Sequence, residues 1–368
     1  MSSAADHDFM TRALRLARRG LFTATHNPRV GCVIARNGKI VGEGWHRRAG
    51  EAHAEVHALK VAGTDAKGAT AYVTLEPCSH HGRTPPCTEA LIEAGVTRVV
   101  AAMQDPNPQV AGRGFSALAA AGIVTECGLM AEKAAELNAG FVSRMTRGRP
   151  WVRLKLAASL DGKTALRNGD SQWITGPAAR RDGHRWRARA CAILSGIGTI
   201  RADDPRLSVR EVPTTRQPLK VVVDARLELP PDARVLADGR LLVACARDGG
   251  GAAAEALRRR GAELLHLPDR AGRVDLAALM AELGRRGINE LHVEGGSRLN
   301  GAFLAAGLAD ELLLYLAPRV IGDAARGMFD LPELTALDGA HRLSILEARR
   351  IGGDLRVRFG FPEDRGAP

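Results

Sequence analysis

The stretch that decides the fold of the first half is P-C-S-H-H-G-R-T-P-P-C, which occupies residues 77–87. A second short motif, H-A-E, precedes it at residues 53–55. One imidazole and two thiolates form a tetrahedral zinc site whose fourth position is free for water. The two motifs therefore predict zinc ligands at His53, Cys78 and Cys87, with Glu55 beside them.

Glu55 is not needed as a ligand, so its carboxylate can take a proton from zinc-bound water and deliver it to a ring nitrogen and a departing amine. This is the signature of zinc deaminases that act on bases, in which the second cysteine usually comes three residues after the first. Here the second cysteine comes nine residues after the first. His57 is four residues from His53, but the glutamate is not in the H-E-x-x-H position, which favours a helix residue without metal.

The length of 368 residues fits two domains, and 45% apolar with 25% charged residues is typical of a soluble globular protein. Six sparse cysteines follow no disulfide framework, and the first residues lack a signal-peptide core. We therefore expect a cytoplasmic protein. The net charge of +11 raises a nucleic-acid hypothesis, but the arginines are dispersed and no aromatic stripe is present to stack bases. A solvated basic surface or a phosphorylated small substrate explains the charge equally well.

Up to residue 145, helix and strand patterns alternate in the order αββαβαβα. Asn37-Gly38 is the favoured two-residue hairpin turn, and Pro85-Pro86 suits a helix entrance. The strands are predicted at 30–35, 39–44, 71–75 and 96–103, and a helix is predicted near 53–61. A single mixed sheet flanked by helices follows from this pattern.

The polar residues 146–150 include Gly and Pro and predict a joint between two domains, 1–147 and 148–368. Beyond the joint, apolar strand-like runs alternate with helical or loop stretches and predict a second α/β sheet. The runs are 151–158, 191–195, 219–224, 241–246, 291–294 and 311–316. The alternating residues on either side of Gly352-Gly353, within 343–361, predict a β-hairpin.

With these motifs, the chain resembles the bifunctional riboflavin-biosynthesis deaminase–reductases of bacteria over nearly its whole length. In the first half the resemblance rests on the wide loop between the cysteines, N-P-x-V-G-C-V at 27–33 and G-W-H at 44–46. In the second half it rests on K-L-A-A-S-L-D-G-K-T-A at 155–165, S-Q-W-I-T at 171–175, G-x-G-T-x-x-A-D-D-P at 196–205 and V-E-G-G at 293–296. The family implies a cytidine-deaminase-like three-layer α/β/α domain followed by a dihydrofolate-reductase-like α/β domain.

For the first domain, the resemblance implies hydrolytic deamination, by zinc-activated hydroxide, of 2,5-diamino-6-(5-phosphoribosylamino)pyrimidin-4-one. Asn27, His46 and His80 match family positions that contact the substrate, and Arg83 would meet its phosphate. Asp105 is either a turn former or a substrate contact, and the sequence does not separate these readings.

For the second domain, the resemblance implies reduction of the ribosyl group by NADPH, giving 5-amino-6-(5-phosphoribitylamino)uracil. The glycines at 196 and 198 and at 295–296 follow apolar strands and suit close approach to phosphate. Lys155, Asp161 and Asp203 are candidates for proton handling or for turns and ion pairs. Family positions map cofactor contacts to Ala157, Trp173, Thr199, Asp203, Gly296, Ser297, Arg298, Leu299, Asn300, Gly301 and Ala302. They map substrate contacts to Ser171, Arg187, Leu207, Arg210 and Glu294.

Three alternatives compete with this interpretation. One is a nucleic-acid base deaminase with a fused binding domain. The second is a non-catalytic protein with a structural zinc, although such sites usually have four protein ligands and no idle carboxylate. The third is a deaminase whose second domain binds without reducing. A small-molecule substrate, no membrane partner and, from the resemblance, a homo-oligomer are expected.

Overall fold

The computed structural model describes residues 3–81, 85–108 and 110–361. The chain divides into two compact units, Met1–Gly148 and Arg149–Pro368. Among the described residues, no helix combines the length and the apolar character that crossing a membrane requires.

The first unit is built on a mixed five-stranded sheet in the order β2-β1-β3-β4-β5. Strands β2, β1 and β3 pair antiparallel, whereas β3, β4 and β5 pair parallel. The strands are β1 (Gly31–Arg36), β2 (Lys39–Trp45), β3 (Thr70–Val73), β4 (Arg98–Ala101) and β5 (Val124–Cys127). The helices are α1 (Ala4–Ala17), α2 (Ala54–Ala62), α3 (Cys87–Glu93), α4 (Arg113–Ala120), α5 (Ala131–Leu137) and α6 (Ala139–Arg147).

Helices cover both faces of this sheet because its strands carry apolar residues on both sides. In β1, Cys32 and Ile34 pack with α2, α3 and α4, whereas Val33 and Ala35 pack with α1 and α5. The result is the predicted three-layer arrangement. The Asn37-Gly38 turn between β1 and β2 has φ angles of 51° and 75°, as a two-residue hairpin turn requires.

Helix α2 lies unusually close to β2, and this closeness places the residues at its start. At Gly44, any Cβ would collide with the carbonyl oxygen of Ala54. Glycine is therefore required at this position of β2, because only a residue without a side chain lets the backbone of α2 approach so closely.

The second unit holds a nine-stranded sheet in the order β11-β10-β9-β8-β12-β6-β13-β16-β15. It is parallel from β11 to β13 and ends in the predicted antiparallel hairpin β15–β16. Its strands are β6 (Trp151–Ser159), β7 (Lys163–Ala165), β8 (Ala192–Gly196), β9 (Leu219–Val223), β10 (Leu241–Cys245), β11 (Ala262–His266), β12 (Glu290–Val293), β13 (Glu311–Ala317), β14 (Arg326–Gly327), β15 (Ser344–Ile351) and β16 (Asp354–Gly360). Its helices are α7 (Pro177–Arg189), α8 (Ile197–Asp203), α9 (Ala252–Arg259), α10 (Leu276–Arg285) and α11 (Ser297–Ala305).

The strands that the sequence analysis missed are short or lie at sheet edges. Strands β5 and β11 are both terminal strands of their sheets. Every residue of β5 is at least partly accessible, and only Ala262 of β11 is buried. An edge strand buries less apolar surface, so its sequence carries a weaker alternation signal.

Candidate metal centre and cofactor cavity

Three ligand-type side chains converge in the first unit from three different elements. His53 is the N-cap residue of α2, Cys87 is the first residue of α3, and Cys78 lies in the loop that follows β3. Their ligand atoms all lie within 4.8 Å of one another. The Nδ1 atom of His53 is 3.2 Å from the Cys87 Sγ and 3.5 Å from the Cys78 Sγ.

The two thiols do not ionise alike. Hydrogen bonds from the Cys87 thiol, from His53 and from the Cys87 backbone amide lower the pKa of Cys78. The same hydrogen bond to Cys78 raises the pKa of Cys87, whose burial acts in the same direction. The Cys87 backbone N–H, the first amide of α3, donates to the Cys78 Sγ at 3.4 Å, and such a bond favours the thiolate form that binds metal.

One nitrogen and two sulfurs in this spacing form the donor set that zinc prefers, with a fourth tetrahedral position left over. The residues therefore fit a zinc ion. His57 is not a member of the cluster in the described part of the chain.

Glu55 lies in the first turn of α2, beside the cluster, and is only 3% exposed. Its Oε2 atom is buried and has no hydrogen-bond partner among the described residues. Burial raises the pKa of Glu55 to about 7. A carboxylate with that pKa can both accept and return a proton at neutral pH.

The structure joins two of the predicted substrate residues of this unit. The Asn27 Nδ2 lies 3.1 Å from the His46 Nε2, and the His46 Nδ1 lies 3.3 Å from the carbonyl oxygen of Ala52. The His46 ring stands edge-on to the His53 ring, with centroids 5.4 Å apart. His80 is exposed on the loop after Cys78, and Arg83 lies outside the described residues.

Two acidic residues near the cluster have defined local roles. The Asp105 carboxylate accepts the Asn107 N–H at 2.8 Å. This is the bond of a turn former, which is one of the two roles that the sequence left open for Asp105. Glu76, to which the sequence analysis assigned no role, is 3% exposed and accepts three backbone N–H groups. Its only sequence signal was a glutamate directly after a predicted apolar strand.

The second unit contains a cavity of about 1810 Å³. Most of the predicted reductase residues line it, although they come from distant parts of the chain. The lining residues from the cofactor set are Ala157, Trp173, Thr199, Asp203, Gly296, Ser297, Arg298, Leu299 and Ala302, and those from the substrate set are Ser171, Arg187, Leu207, Arg210 and Glu294.

Glu294 is a carboxylate of the cavity that is held by an arginine and a histidine. Arg187 binds it through two parallel bonds, Nε to Oε1 at 2.6 Å and Nη2 to Oε2 at 2.7 Å. The His292 Nε2 lies 3.3 Å from the Glu294 Oε1. Burial opposes ionisation, but Arg187, His292 and Lys155 outweigh it and hold the pKa of Glu294 well below its usual value. Glu294 is therefore an anionic acceptor at the cavity wall.

Some predicted residues are not in the cavity lining. Asn300 donates through Nδ2 to the Gly295 and Met328 carbonyl oxygens, and a Cβ at Gly301 would collide with the Asp330 backbone. Both residues face the interior of the protein, because a helix presents only part of its circumference to a ligand.

Of the three candidates for proton handling, Lys155 and Asp203 line the cavity and Asp161 does not. The Asp161 carboxylate accepts the backbone N–H groups of Ile321 and Gly322. Asp161 is therefore a turn residue. His184, which the sequence analysis overlooked, lines the cavity and accepts the Arg210 N–H at 3.2 Å.

Comparison with known proteins identifies the family of the chain. Residues 3–103 match the cytidine and deoxycytidylate deaminase zinc-binding region, and residues 150–357 match the RibD C-terminal domain. The riboflavin biosynthesis protein RibD of Escherichia coli is 50% identical, covering 95% of this chain and 98% of its own. The chain belongs to the RibD family.

Solved structures agree along the whole length. The RibD structure from Acinetobacter baumannii (form 1) is 42% identical with a TM-score of 0.91, covering 98% of this chain and 99% of its own. A diaminohydroxyphosphoribosylaminopyrimidine deaminase/5-amino-6-(5-phosphoribosylamino)uracil reductase from Thermotoga maritima is 32% identical with a TM-score of 0.86, covering 97% and 99%.

These relationships confirm the predicted fold and activity. The chain is a bifunctional enzyme of riboflavin biosynthesis, a deaminase and a reductase that act on a small molecule. Its fold is a cytidine-deaminase-like domain followed by a dihydrofolate-reductase-like domain. Its cofactors are zinc and NADPH.

Proposed function

We propose that residues 1–147 deaminate the diaminopyrimidinone and that residues 148–368 reduce its ribosyl group. The proposal for the deaminase rests on the Glu55 carboxylate oxygen, which has no hydrogen-bond partner among the described residues and lies beside a three-ligand cluster. An uncompensated buried acceptor is costly, so its retention beside a metal-type site favours a catalytic role.

In the deaminase site, His53, Cys78 and Cys87 would hold zinc. When bound, zinc is a Lewis acid that makes water a nucleophile at neutral pH. Glu55 takes one proton from the attacking water and gives it to the ring nitrogen. It then takes the second proton, from the hydroxyl group newly attached to the ring carbon, and gives it to the departing amine, which leaves as ammonia. Burial raises the pKa of Glu55, and this direction favours a carboxylate that returns the protons it takes.

The remaining deaminase residues bind the substrate. Asn27 and His46 hold each other, so they present a fixed pair of polar groups beside His53. His80 lies on the loop that follows Cys78 and supplies a further contact. Arg83 binds the sugar phosphate, since a guanidinium can grip a phosphate through two bonds.

In the reductase cavity, NADPH supplies the hydride when bound. The pyrophosphate binds at the N-terminus of α11, where backbone N–H groups favour an anion. Its contacts are Thr199 and the cavity-lining residues between Gly296 and Ala302. Ala157, Trp173 and Asp203 contribute further cofactor contacts. Lys155 and Asp203 exchange the proton that accompanies hydride transfer to the reduced carbon.

The substrate contacts of the cavity are Ser171, Arg187, Leu207, Arg210 and Glu294. Arg187 already uses three of its five N–H groups on Glu294 and on the Ser208 carbonyl oxygen. Arg187 therefore orients Glu294, and Arg210 is the more available cation for a sugar phosphate.

The enzyme is proposed to be cytoplasmic, to bind neither nucleic acid nor membranes, and to form a homo-oligomer. The exposed edge strand β15 supports self-association, because Ile345 and Leu346 on it are 69% and 51% exposed. Light scattering of the full chain tests the oligomer, and titration with single-stranded RNA and DNA tests the nucleic-acid alternative.

A coupled assay tests the function as a whole. The diaminopyrimidinone should release ammonia, and NADPH should be oxidised only once the deaminated product is present. Glu55→Gln should keep zinc and reduce preformed deaminated product at the wild-type rate while releasing no ammonia. The exposed Glu132→Gln is the matched control and should keep both activities. Ammonia release by Glu55→Gln would refute the mechanism.

A further inference from the structure

Glu76 is a buried carboxylate that binds backbone rather than a cation. Its Oε2 accepts the Asp105 N–H at 3.1 Å and the Gly112 N–H at 3.0 Å, and its Oε1 accepts the Gly114 N–H at 2.8 Å. The donors lie within residues 105–114, which run from the connection after β4 into the first turn of α4. One side chain thus holds both ends of this connection.

The position of Glu76 explains why a charged group is used. Gly112 is the N-cap of α4 and has no side chain with which to cap the helix. The first N–H groups of a helix need acceptors, and the helix dipole favours an anion there. Glu76 supplies both the acceptor oxygens and the negative charge, and it does so from another part of the chain, two residues before Cys78.

The two chain segments are also packed backbone to backbone. A Cβ on Gly114 would collide with the Pro77 carbonyl oxygen and would lie 3.0 Å from the Glu76 Oε1. The start of α4 therefore contacts the residue between Glu76 and Cys78. A displacement of α4 must move the loop that carries Cys78, or the reverse.

The connection between β4 and α4 also carries Asp105. Asp105 is 9% exposed, and its carboxylate is fixed by the Asn107 N–H as well as by the anchoring of its own N–H to Glu76. Glu76 thus joins the loop that carries Cys78 to the segment that carries Asp105.

We propose that Glu76 is a positioning residue of the deaminase site, whose carboxylate holds the 105–114 connection and Asp105 in register with the loop that carries Cys78. The proposal rests on the deaminase function proposed for the first unit. Glu76 touches neither the reacting atoms nor the ligands themselves, and it acts through the backbone that it binds.

Glu76→Gln tests this directly, because an amide keeps the size but turns one acceptor oxygen into a donor that faces N–H groups. We expect deaminase kcat to fall about 100-fold, the scale of a small misplacement at a reacting centre. Zinc should stay near one per chain, and reduction of preformed product should be unchanged. Glu132→Gln, an exposed glutamate at the start of α5, is the matched control.

Gly114→Ala tests the same contact from the other side with Glu76 intact, and it guards against a Glu76→Gln chain that does not fold. Gly114→Ala should also lower deaminase kcat with zinc retained. The double variant should lose little more than the worse single variant, because both changes disrupt one contact.

Three results would overturn the proposal. One is a wild-type kcat in Glu76→Gln. Another is a loss of zinc that accounts for the whole loss of rate, so that activity per bound zinc is unchanged. The third is full additivity of the two substitutions. Failure of the proposed function is distinct from all three, since it would appear as ammonia release by Glu55→Gln.

Discussion

The metal centre of the first unit and the cavity of the second unit are assembled in opposite ways. All three candidate ligands and Glu55 lie within residues 53–87, and two of the ligands stand at helix starts. The cavity draws on residues from Lys155 to Asp330, brought together by a nine-stranded sheet. The first site depends on local helix geometry, whereas the second depends on strand order. Substitutions should therefore separate the two sites sharply.

The largest expected effect is at the metal cluster. Cys87→Ser should remove zinc and lower deaminase activity by at least about 1000-fold, because a hydroxyl is a poor replacement for a thiolate ligand. The reductase rate with preformed product should not change. Zinc content by atomic emission and the two separate assays check this. A parallel loss of reductase activity would show that the two sites are not independent.

Next comes the carboxylate at the cavity wall. Glu294→Gln replaces an anion that Arg187 binds through two bonds, and it leaves a buried guanidinium partly unpaired. We expect reductase kcat/KM to fall about 100-fold with deaminase activity unchanged. Glu263→Gln is the control, since Glu263 forms an accessible ion pair with Arg286 that contributes little. Equal effects of the two substitutions would contradict the role of Glu294.

The second unit should lose stability in acid through Glu311. Burial alone would raise the pKa of Glu311, but Arg153 and Arg358 outweigh burial and bring it to about 2. A lowered folded pKa gives stability that is present above the unfolded value of ~4.3 and is lost as pH falls towards 2. Glu311 contributes ~3 kcal/mol by this linkage. Urea unfolding followed by the Trp fluorescence of this unit, at pH 6 and pH 3, measures the loss. Glu311→Gln should flatten that dependence.

The smallest expected effect lies in the turn between β1 and β2, away from both sites. Gly38 has a φ of 75°, which a residue with a Cβ adopts only with strain. Gly38→Ala should lower the free energy of unfolding of the first unit by about 1 kcal/mol, with zinc content and both activities unchanged. Thermal unfolding monitors the stability change. A loss of deaminase activity in Gly38→Ala would mean that the metal centre depends on residues well outside the 53–87 segment.

The sequence analysis succeeded where a residue's neighbours along the chain decide its environment. His53 and Cys87 stand at the starts of α2 and α3, at the positions where helices were expected. The buried strands of both sheets were found because their apolar runs are continuous. Strands β5 and β11 were missed because an edge strand is half accessible and lacks that signal.

The sequence analysis was weaker where a residue's role depends on a partner far along the chain. Motif positions placed Asn300 and Gly301 with the cofactor contacts, yet both face inward, because the rotation of α11 is set by its packing. Asp161 could not be separated from a proton donor until its partners, Ile321 and Gly322, were located. Glu76 had no motif to mark it, since its three partners are backbone amides.

By itself, the sequence determined the two-domain α/β organisation, the ligand set of His53, Cys78 and Cys87, and the catalytic candidate Glu55. These features depend on short-range spacing and on the chemistry of the side chains. Only the tertiary structure decided which oxygen of Glu55 is left without a partner among the described residues, how Arg187 is divided between Glu294 and the Ser208 carbonyl oxygen, and what Glu76 holds. These features depend on contacts between residues that are distant in sequence, and such contacts form only when the strands pair and the helices pack.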